Sequence, residues 1–181
     1  MLPAELITTY LQMTSPAAFA PRWRPEGASL VIMCMDTPLV SFYRYLYREV
    51  GGRWAWRDRD HWHDARLKDW LAQATVDVYV LYVQGVPAGY IELDRQPGAT
   101  EIAYFGLLPE FFGQGYGSHL LSFGVARAWE HGAPRVWVHT CNLDSPHAMR
   151  TYQRIGFAVY DEHREPMPAR YKTPPLNDET N

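Results

Sequence analysis

Hydrophobic and polar positions along the 181-residue chain alternate in two rhythms, one of period two and one close to 3.6. Residues 6–14, LITTYLQMT, alternate weakly and read as a candidate strand, followed by a Pro-rich connection, SPAAFAPRWRPEG. SLVIMCM (29–35) reads as a short buried strand. Thr37-Pro38 then predicts a helix start, and PLVSFYRYLYREV (38–50) a helix stopped by Gly51-Gly52. A second helix near ARLKDWLAQA (65–74) places Leu67, Trp70, Leu71 and Ala74 on one face. VDVYVLYVQGVPAGYIELD (76–94) predicts a hairpin turning at Gln84-Gly85, and TEIAYFGLL (100–108) a further strand. Beyond Gly117, Leu120, Leu121, Gly124, Val125 and Ala128 recur at helical spacing up to Gly132. RVWVHTC (135–141) is a strand, Ser145-Pro146 opens a helix that runs to Gly156, and FAVYDEHRE (157–165) is a last strand.

The order β-α-α-β-β-β-α-β-α-β predicts a single α/β domain built on a mixed sheet. Residues 1–29 are set apart as an N-terminal extension able to add a strand, 30–165 form the domain, and 166–181 a polar, Pro-rich tail expected to be loosely packed. Composition agrees with a soluble globular protein, at 47% hydrophobic and 20% charged residues. The net charge is −3, and no Lys/Arg run suggests nucleic acid or an anionic membrane as partner. Cys34 and Cys141 cannot form a disulfide framework, and a cytoplasmic, reducing location is expected. MLPAELITTYLQM lacks the pattern of a signal peptide, and no apolar run approaches the length of a membrane span.

Chemistry concentrates in LLPEFFGQGYGSHLL (107–121), where Gly113, Gly115 and Gly117 lie between a strand and a helix. Such a junction binds anions, because unpaired N–H groups and the helix dipole both favour negative charge. A Walker loop is excluded, since no Lys occupies the required place. A dinucleotide fingerprint also fails, because Ser118 stands where the third glycine should be and RVWVHT supplies no acid downstream.

The stretch resembles the acetyl-CoA loop of the GNAT superfamily of N-acetyltransferases, whose pattern is [QR]xxGx[GA]. Phe112 departs from it, and Gly115 and Gly117 fit. Glu101 lies at the distance upstream where that family commonly carries a Glu. SPHAMRTYQRIGF resembles its closing NxxAxxxYxxxGF signature at Ala148, Tyr152, Gly156 and Phe157, with Ser145 in place of Asn. The resemblance implies a mixed, mostly antiparallel sheet flanked by helices, with a splayed strand pair at the acetyl-CoA site. It implies an enzyme that moves an acetyl group from acetyl-CoA to a primary amine by direct transfer in a ternary complex, without a metal. The rival reading is a non-catalytic module that binds or senses acyl-CoA.

By the same resemblance, the loop from Phe112 through Gly113, Gln114, Gly115, Tyr116 and Gly117 to Ser118 holds the pyrophosphate. The N–H of Leu107 or Leu108 serves as oxyanion donor, and Asn142 joins the donor contacts. An alkylamine has a pKa near 10.4, so roughly one molecule in a thousand is nucleophilic at pH 7 and a base is needed. Glu101 is the first candidate once burial raises its pKa, and a salt-bridged strand carboxylate is its other reading. His139, on the next strand, is the second candidate or a structural histidine. Tyr152 matches the family's proton donor to the departing thiolate, and it equally shares a core face with Ala148, Met149 and Ile155. Trp54, Trp56, Arg57, Arg59, Trp62 and His63 cluster between the first two helices. They either stack on an acceptor, with Trp54, Trp56 and Arg57 foremost, or pack beneath the helices with the arginines in water. The His61-Trp62-His63 stretch has no third ligand at a metal-binding spacing. The acceptor amine, and a homodimer, are left open.

Overall fold

The computed structural model describes residues 2–24 and 29–172. The end of the Pro-rich connection, 25–28, and the tail from 173 lie outside the described residues. Seven strands form one sheet: β1 (Glu5–Met13), β2 (Leu30–Cys34), β3 (Val76–Val83), β4 (Val86–Gln96), β5 (Ala99–Leu107), β6 (Val136–Cys141) and β7 (Ala158–Pro166). Their order is β2-β3-β4-β5-β6-β1-β7. Among the described residues every neighbouring pair is antiparallel except β5 and β6.

Two helices cover one face at β3 and β4. They are α1 (Val40–Gly51) and α2 (Asp64–Leu71), and α1 buries Tyr43, Leu46, Tyr47 and Val50 at i, i+3, i+4 and i+7 against Val76, Val78 and Val80. The opposite face carries α3 (Tyr116–Glu130) and α4 (Ala148–Ile155), which pack Leu120, Leu121, Val125 and Ile155 against Leu81, Ile91, Ile102 and Val138. Each fully buried aliphatic side chain contributes roughly 1.5–3 kcal/mol. Strand alternation assigns the two faces, as in β3, where 76, 78 and 80 face α1 and 79, 81 and 83 face α3.

Local geometry departs from the sequence reading at several ends. The hairpin turn is as expected, with Gln84 (φ 51°) and Gly85 (φ 82°) both left-handed. α1 starts after Leu39, which stays extended (φ −107°, ψ 101°), so Thr37 does not cap it. α2 ends at Leu71, leaving Ala74 outside the helix. Ser145 accepts from the His147 N–H at 3.3 Å in a turn preceding α4. Gly117 is helical, because α3 begins at Tyr116.

Residues Glu5–Met13 do not lie beside the sheet but inside it. β1 pairs with β6 from Thr8↔Cys141 to Met13↔Val136 and with β7 from Glu5↔Pro166 to Gln12↔Ala158. The tail is tied down where it is described: Met167 is buried, its N–H donates to the Ala4 carbonyl at 2.9 Å, and α5 (Ala169–Lys172) follows. No helix among the described residues is long and apolar enough to cross a membrane.

Candidate active site

The sheet opens in its middle. β5 and β6 pair only from Thr100↔Val136 to Ile102↔Val138. Immediately beyond, β5 carries a bulge: Glu92 faces Tyr104 and Leu93 faces Ile102, so Ala103 has no partner on β4. A bulge adds twist and bends its strand, which accounts for the divergence of β5 from β6. The gap is the floor of a cavity of about 1700 Å³. Residues from both sheet faces therefore reach one space.

The glycine loop forms one wall. Gly113 (φ 73°) and Gly115 (φ 81°) adopt left-handed backbone that residues with a side chain rarely accept. No side chain caps α3, and its first reaching bond is from the His119 N–H to the Gly115 carbonyl at 3.2 Å. The amides of Gly113 to Ser118 make no hydrogen bond to any described residue. Gly113, Gly115, Gly117 and Ser118 line the cavity, so unpaired donors and the positive end of the dipole face it. These features fit a pyrophosphate.

Other residues of the loop do different work. Gln114 turns away, its Nε2 donating to the Glu110 carbonyl at 3.0 Å. Tyr116 is buried, with Phe111 against its edge and the Arg24 guanidinium 4.0 Å from its ring centroid. Phe112 lines the cavity at 39% exposure, with Arg53 above its ring at 5.7 Å. The Leu108 N–H is already donated to the Ala88 carbonyl at 2.9 Å, so it is not available as an oxyanion donor. Successive N–H groups of a strand point to opposite sides. The Leu107 N–H therefore faces β6, where pairing has ended.

Glu101 and His139 meet beside the gap. His139 Nδ1 lies 3.2 Å from Glu101 Oε1, with side-chain exposures of 44% and 13%. Gln96 Nε2 donates to the other carboxylate oxygen at 3.1 Å. The hydrogen bond to Glu101 raises the His139 pKa above its ordinary value, burial opposes the rise, and the Glu101 charge adds to it. Tyr152 enters from the opposite face, on α4. Its ring packs edge-on to Phe105 and Phe157 at 6.1 and 6.0 Å. Its hydroxyl makes no hydrogen bond to any described residue, and burial, aided by the Asp144 charge, pushes its pKa up. It therefore holds its proton at neutral pH. All three residues line the cavity.

Asn142 does not reach the cavity. Its Oδ1 accepts from the Ile7 N–H and its Nδ2 donates to the Glu5 carbonyl, both at 3.0 Å. Both ends of the amide are held by β1, and no donor contact is left for it. Of the aromatic cluster, Trp54 and Trp56 line the cavity and Arg57 does not. Trp56 packs against Tyr47 and Tyr104 and donates its Nε1–H to Asp144 at 3.3 Å. Arg57 is occupied by Asp60 at 3.4 Å and the Trp56 carbonyl at 3.2 Å. Cys141 borders the cavity, but burial and Asp144 push its thiol up to about 11, so it is not a thiolate. Among the described residues no group of His, Cys, Asp and Glu is placed to hold a metal ion.

Asp144 and Arg24 escaped the sequence reading, and Arg59, expected there either to meet an acceptor or to stay in water, does neither as its main contact. Asp144 accepts from the Thr140 hydroxyl, the Cys141 N–H and Trp56, and so ties the end of β6 to the aromatic cluster. Arg59 is buried rather than solvated: it ion-pairs with Glu92 at 2.6 Å beneath Trp62 and Trp70. A signal for that pair existed, since Glu92 interrupts the buried run from Ala88 to Leu93 and a buried carboxylate demands a partner. Arg24 reaches the glycine loop from a Pro-rich segment that has no local pattern to reveal it.

The chain matches the model of the Acetyltransferase (GNAT) family over residues 39–157. A stretch of 67 residues is 34% identical to the mycothiol acetyltransferase of Corynebacterium aurimucosum, covering 37% of this chain and 22% of that protein. A GCN5-related N-acetyltransferase from Sphaerobacter thermophilus superposes with a TM-score of 0.62 at 19% identity, over 91% of this chain and 52% of that one. An aminoglycoside N-acetyltransferase in complex with CoA superposes with a TM-score of 0.56 at 18% identity, over 75% of this chain and 91% of its own. The chain thus spans about half the length of the first of these structures, and the match to the curated relative covers about a fifth of that protein.

Proposed function

This chain belongs to the GNAT family of acetyltransferases, and on that premise we propose that it moves an acetyl group from acetyl-CoA to a primary amine by direct transfer in a ternary complex. The observation that carries the reading is the gap between β5 and β6, which gives the loop amides, Tyr152 and the Glu101–His139 pair a common cavity. The amides of Gly113 to Ser118 hold the pyrophosphate. The Leu107 N–H stabilises the oxyanion that develops on the thioester carbonyl.

Glu101 and His139 act as one proton-accepting pair. The carboxylate fixes Nδ1 and leaves Nε2 to take the proton of the attacking amine. Tyr152 gives its proton to the departing thiolate as the carbon–sulfur bond breaks and the carbon–nitrogen bond forms. Trp54 and Trp56 border the acceptor side, and the acceptor is a primary amine.

The test couples thiol release from acetyl-CoA, across a panel of amines and peptides, to calorimetry with CoA. Release that depends on an added amine supports the reading. Tight CoA binding with no turnover across the panel would assign the chain to acyl-CoA binding alone.

A further inference from the structure

The segment from Ala20 to Arg24 runs along α3 toward the donor loop in a fixed register. The Ala20 N–H donates to the Ile155 carbonyl at 2.9 Å, the Arg22 N–H to the Ser122 hydroxyl at 2.8 Å, and the Arg24 N–H to His119 Nδ1 at 3.2 Å. Ser122 is fully buried, and its own hydroxyl donates to the Ser118 carbonyl at 2.7 Å. The strap is therefore anchored to the first two turns of the helix that opens the loop. At its end, the Arg24 guanidinium covers the Tyr116 ring at 4.0 Å and donates through Nη1 to the Gln114 carbonyl.

That last bond sets the orientation of a peptide plane. The Gln114 carbonyl and the Gly115 N–H belong to one planar trans peptide and point in opposite directions. Gly115, at φ 81°, has no side chain to oppose a flip of that plane. Gly115 lines the cavity, whereas Gln114 and Arg24 do not. With the Gln114 oxygen held toward Arg24, the Gly115 N–H of the same peptide points to the opposite side. The loop itself, from Phe112 to Ser118, contains no cation. Arg24 brings one to within a single residue of its central amide.

We propose that Arg24 is a positioning residue for the acyl donor, orienting the Gly115 amide toward the pyrophosphate and raising the positive potential at the start of α3. The inference rests on the reading of the loop as the pyrophosphate site. Its substrate chemistry is a diphosphate diester, and the residue acts through the loop rather than on the reacting atoms.

The experiment measures CoA affinity by calorimetry, and kcat and the KM for acetyl-CoA, in the full chain and in three variants. Arg24→Met keeps the apolar stem over Tyr116 and removes the donor, Arg24→Lys restores one charged donor, and Gly115→Val disables the loop directly. Arg24→Met is expected to weaken CoA binding and raise the donor KM about tenfold, as loss of one charge-assisted hydrogen bond implies. Saturating kcat should stay within about twofold, the melting temperature should hold, and Arg24→Lys should recover part of the affinity. Wild-type affinity in Arg24→Met, alongside lost binding in Gly115→Val, would overturn the role of Arg24 and leave the loop reading intact. A fall in kcat at constant KM would overturn it equally. Undiminished binding in Gly115→Val would remove the loop reading and the Arg24 role together.

Discussion

His139 Nδ1 and Glu101 Oε1 stand 3.2 Å apart across two parallel strands, one residue short of where β5 and β6 cease to pair on β5 and one residue past it on β6. The imidazole is thus held at the rim of the gap by a carboxylate from the neighbouring strand.

The pH dependence follows from the direction of the His139 shift. Its pKa in the folded chain is raised above 6.5, chiefly by the hydrogen bond to Glu101 and against the effect of burial. A raised folded value means that the pair's contribution to stability is complete below the unfolded value and is lost as pH rises through the folded one. Acceptance of the amine proton needs neutral imidazole, so kcat/KM should climb with pH through that same raised value. Glu101→Gln is expected to move this limb to lower pH and to lower the plateau about a hundredfold, within the range of general-base losses. A pH–rate profile decides the matter, and a limb unmoved in Glu101→Gln would discard the coupling.

Tyr152 supports a separate prediction because its hydroxyl has no partner among the described residues. Removing an unpartnered hydroxyl leaves no orphaned group behind, so Tyr152→Phe should fold with an unchanged melting temperature. As the proton donor to the thiolate, the hydroxyl should matter only to the chemical step. Single-turnover rates in Tyr152→Phe are expected to fall about a hundredfold while CoA affinity stays at the wild-type level. A rate equal to that of the wild type would remove Tyr152 from the acid role and leave it as core packing against Phe105.

The three loop glycines are not equivalent. Gly115 takes a left-handed φ of 81°, a conformation strained for any β-branched residue, whereas a Cβ on helical Gly117 would meet Leu107 Cδ1 at 3.6 Å, an ordinary contact. Gly115→Val should therefore abolish CoA binding, at a conformational cost of about 1–3 kcal/mol, while Gly117→Ala should keep it within a few-fold. Calorimetry on the two variants side by side is the check. Equal losses would mean that the loop binds by bulk clearance rather than by the direction of its amides.

The strand and helix content of residues 29–165 was legible because a helix such as α1 buries one face at a period near 3.6, and the strands are β-branched and aromatic runs bounded by turn residues. Glu101, Tyr152 and the loop stand out in the sequence because each occupies a spaced motif, and in the structure they border one cavity. What sequence could not convey is where distant segments dock. LITTYLQMT reads as a strand, but nothing local says that it lies between β6 and β7, and that placement takes both ends of the Asn142 amide. Leu108 is a similar case: only the pairing of β4 with β5 shows that its N–H is engaged by Ala88. Arg24 acts through a carbonyl ninety residues away in sequence, beyond the range of any spacing rule.

Against Trp62 and Trp70, Arg59 and Glu92 form a buried pair whose removal should be felt in two ways. Glu92 is fully buried and accepts from Arg59 at 2.6 Å, from the Tyr43 hydroxyl at 2.6 Å and from Trp70 Nε1 at 3.0 Å. Burial works to lower the Arg59 pKa, but Glu92 and the surrounding tyrosines outweigh it and raise the pKa, so the guanidinium stays charged. Arg59→Met strands a carboxylate in the interior and should cost about 3–5 kcal/mol, as should Glu92→Leu for the guanidinium. The double variant should lose much less than the sum of the two, because neither charge is then left alone. Arg59 also lies 4.8 Å from the Trp62 ring centroid and 4.7 Å from that of Tyr104, both cavity residues. Arg59→Met is therefore expected to raise the KM for the acceptor while leaving that for acetyl-CoA near the wild-type value. Chemical denaturation of the four proteins gives the coupling energy, and steady-state kinetics with each substrate varied in turn gives the split. Additive stability losses, or a donor KM that rises with the acceptor KM, would show that the pair does not shape the acceptor wall.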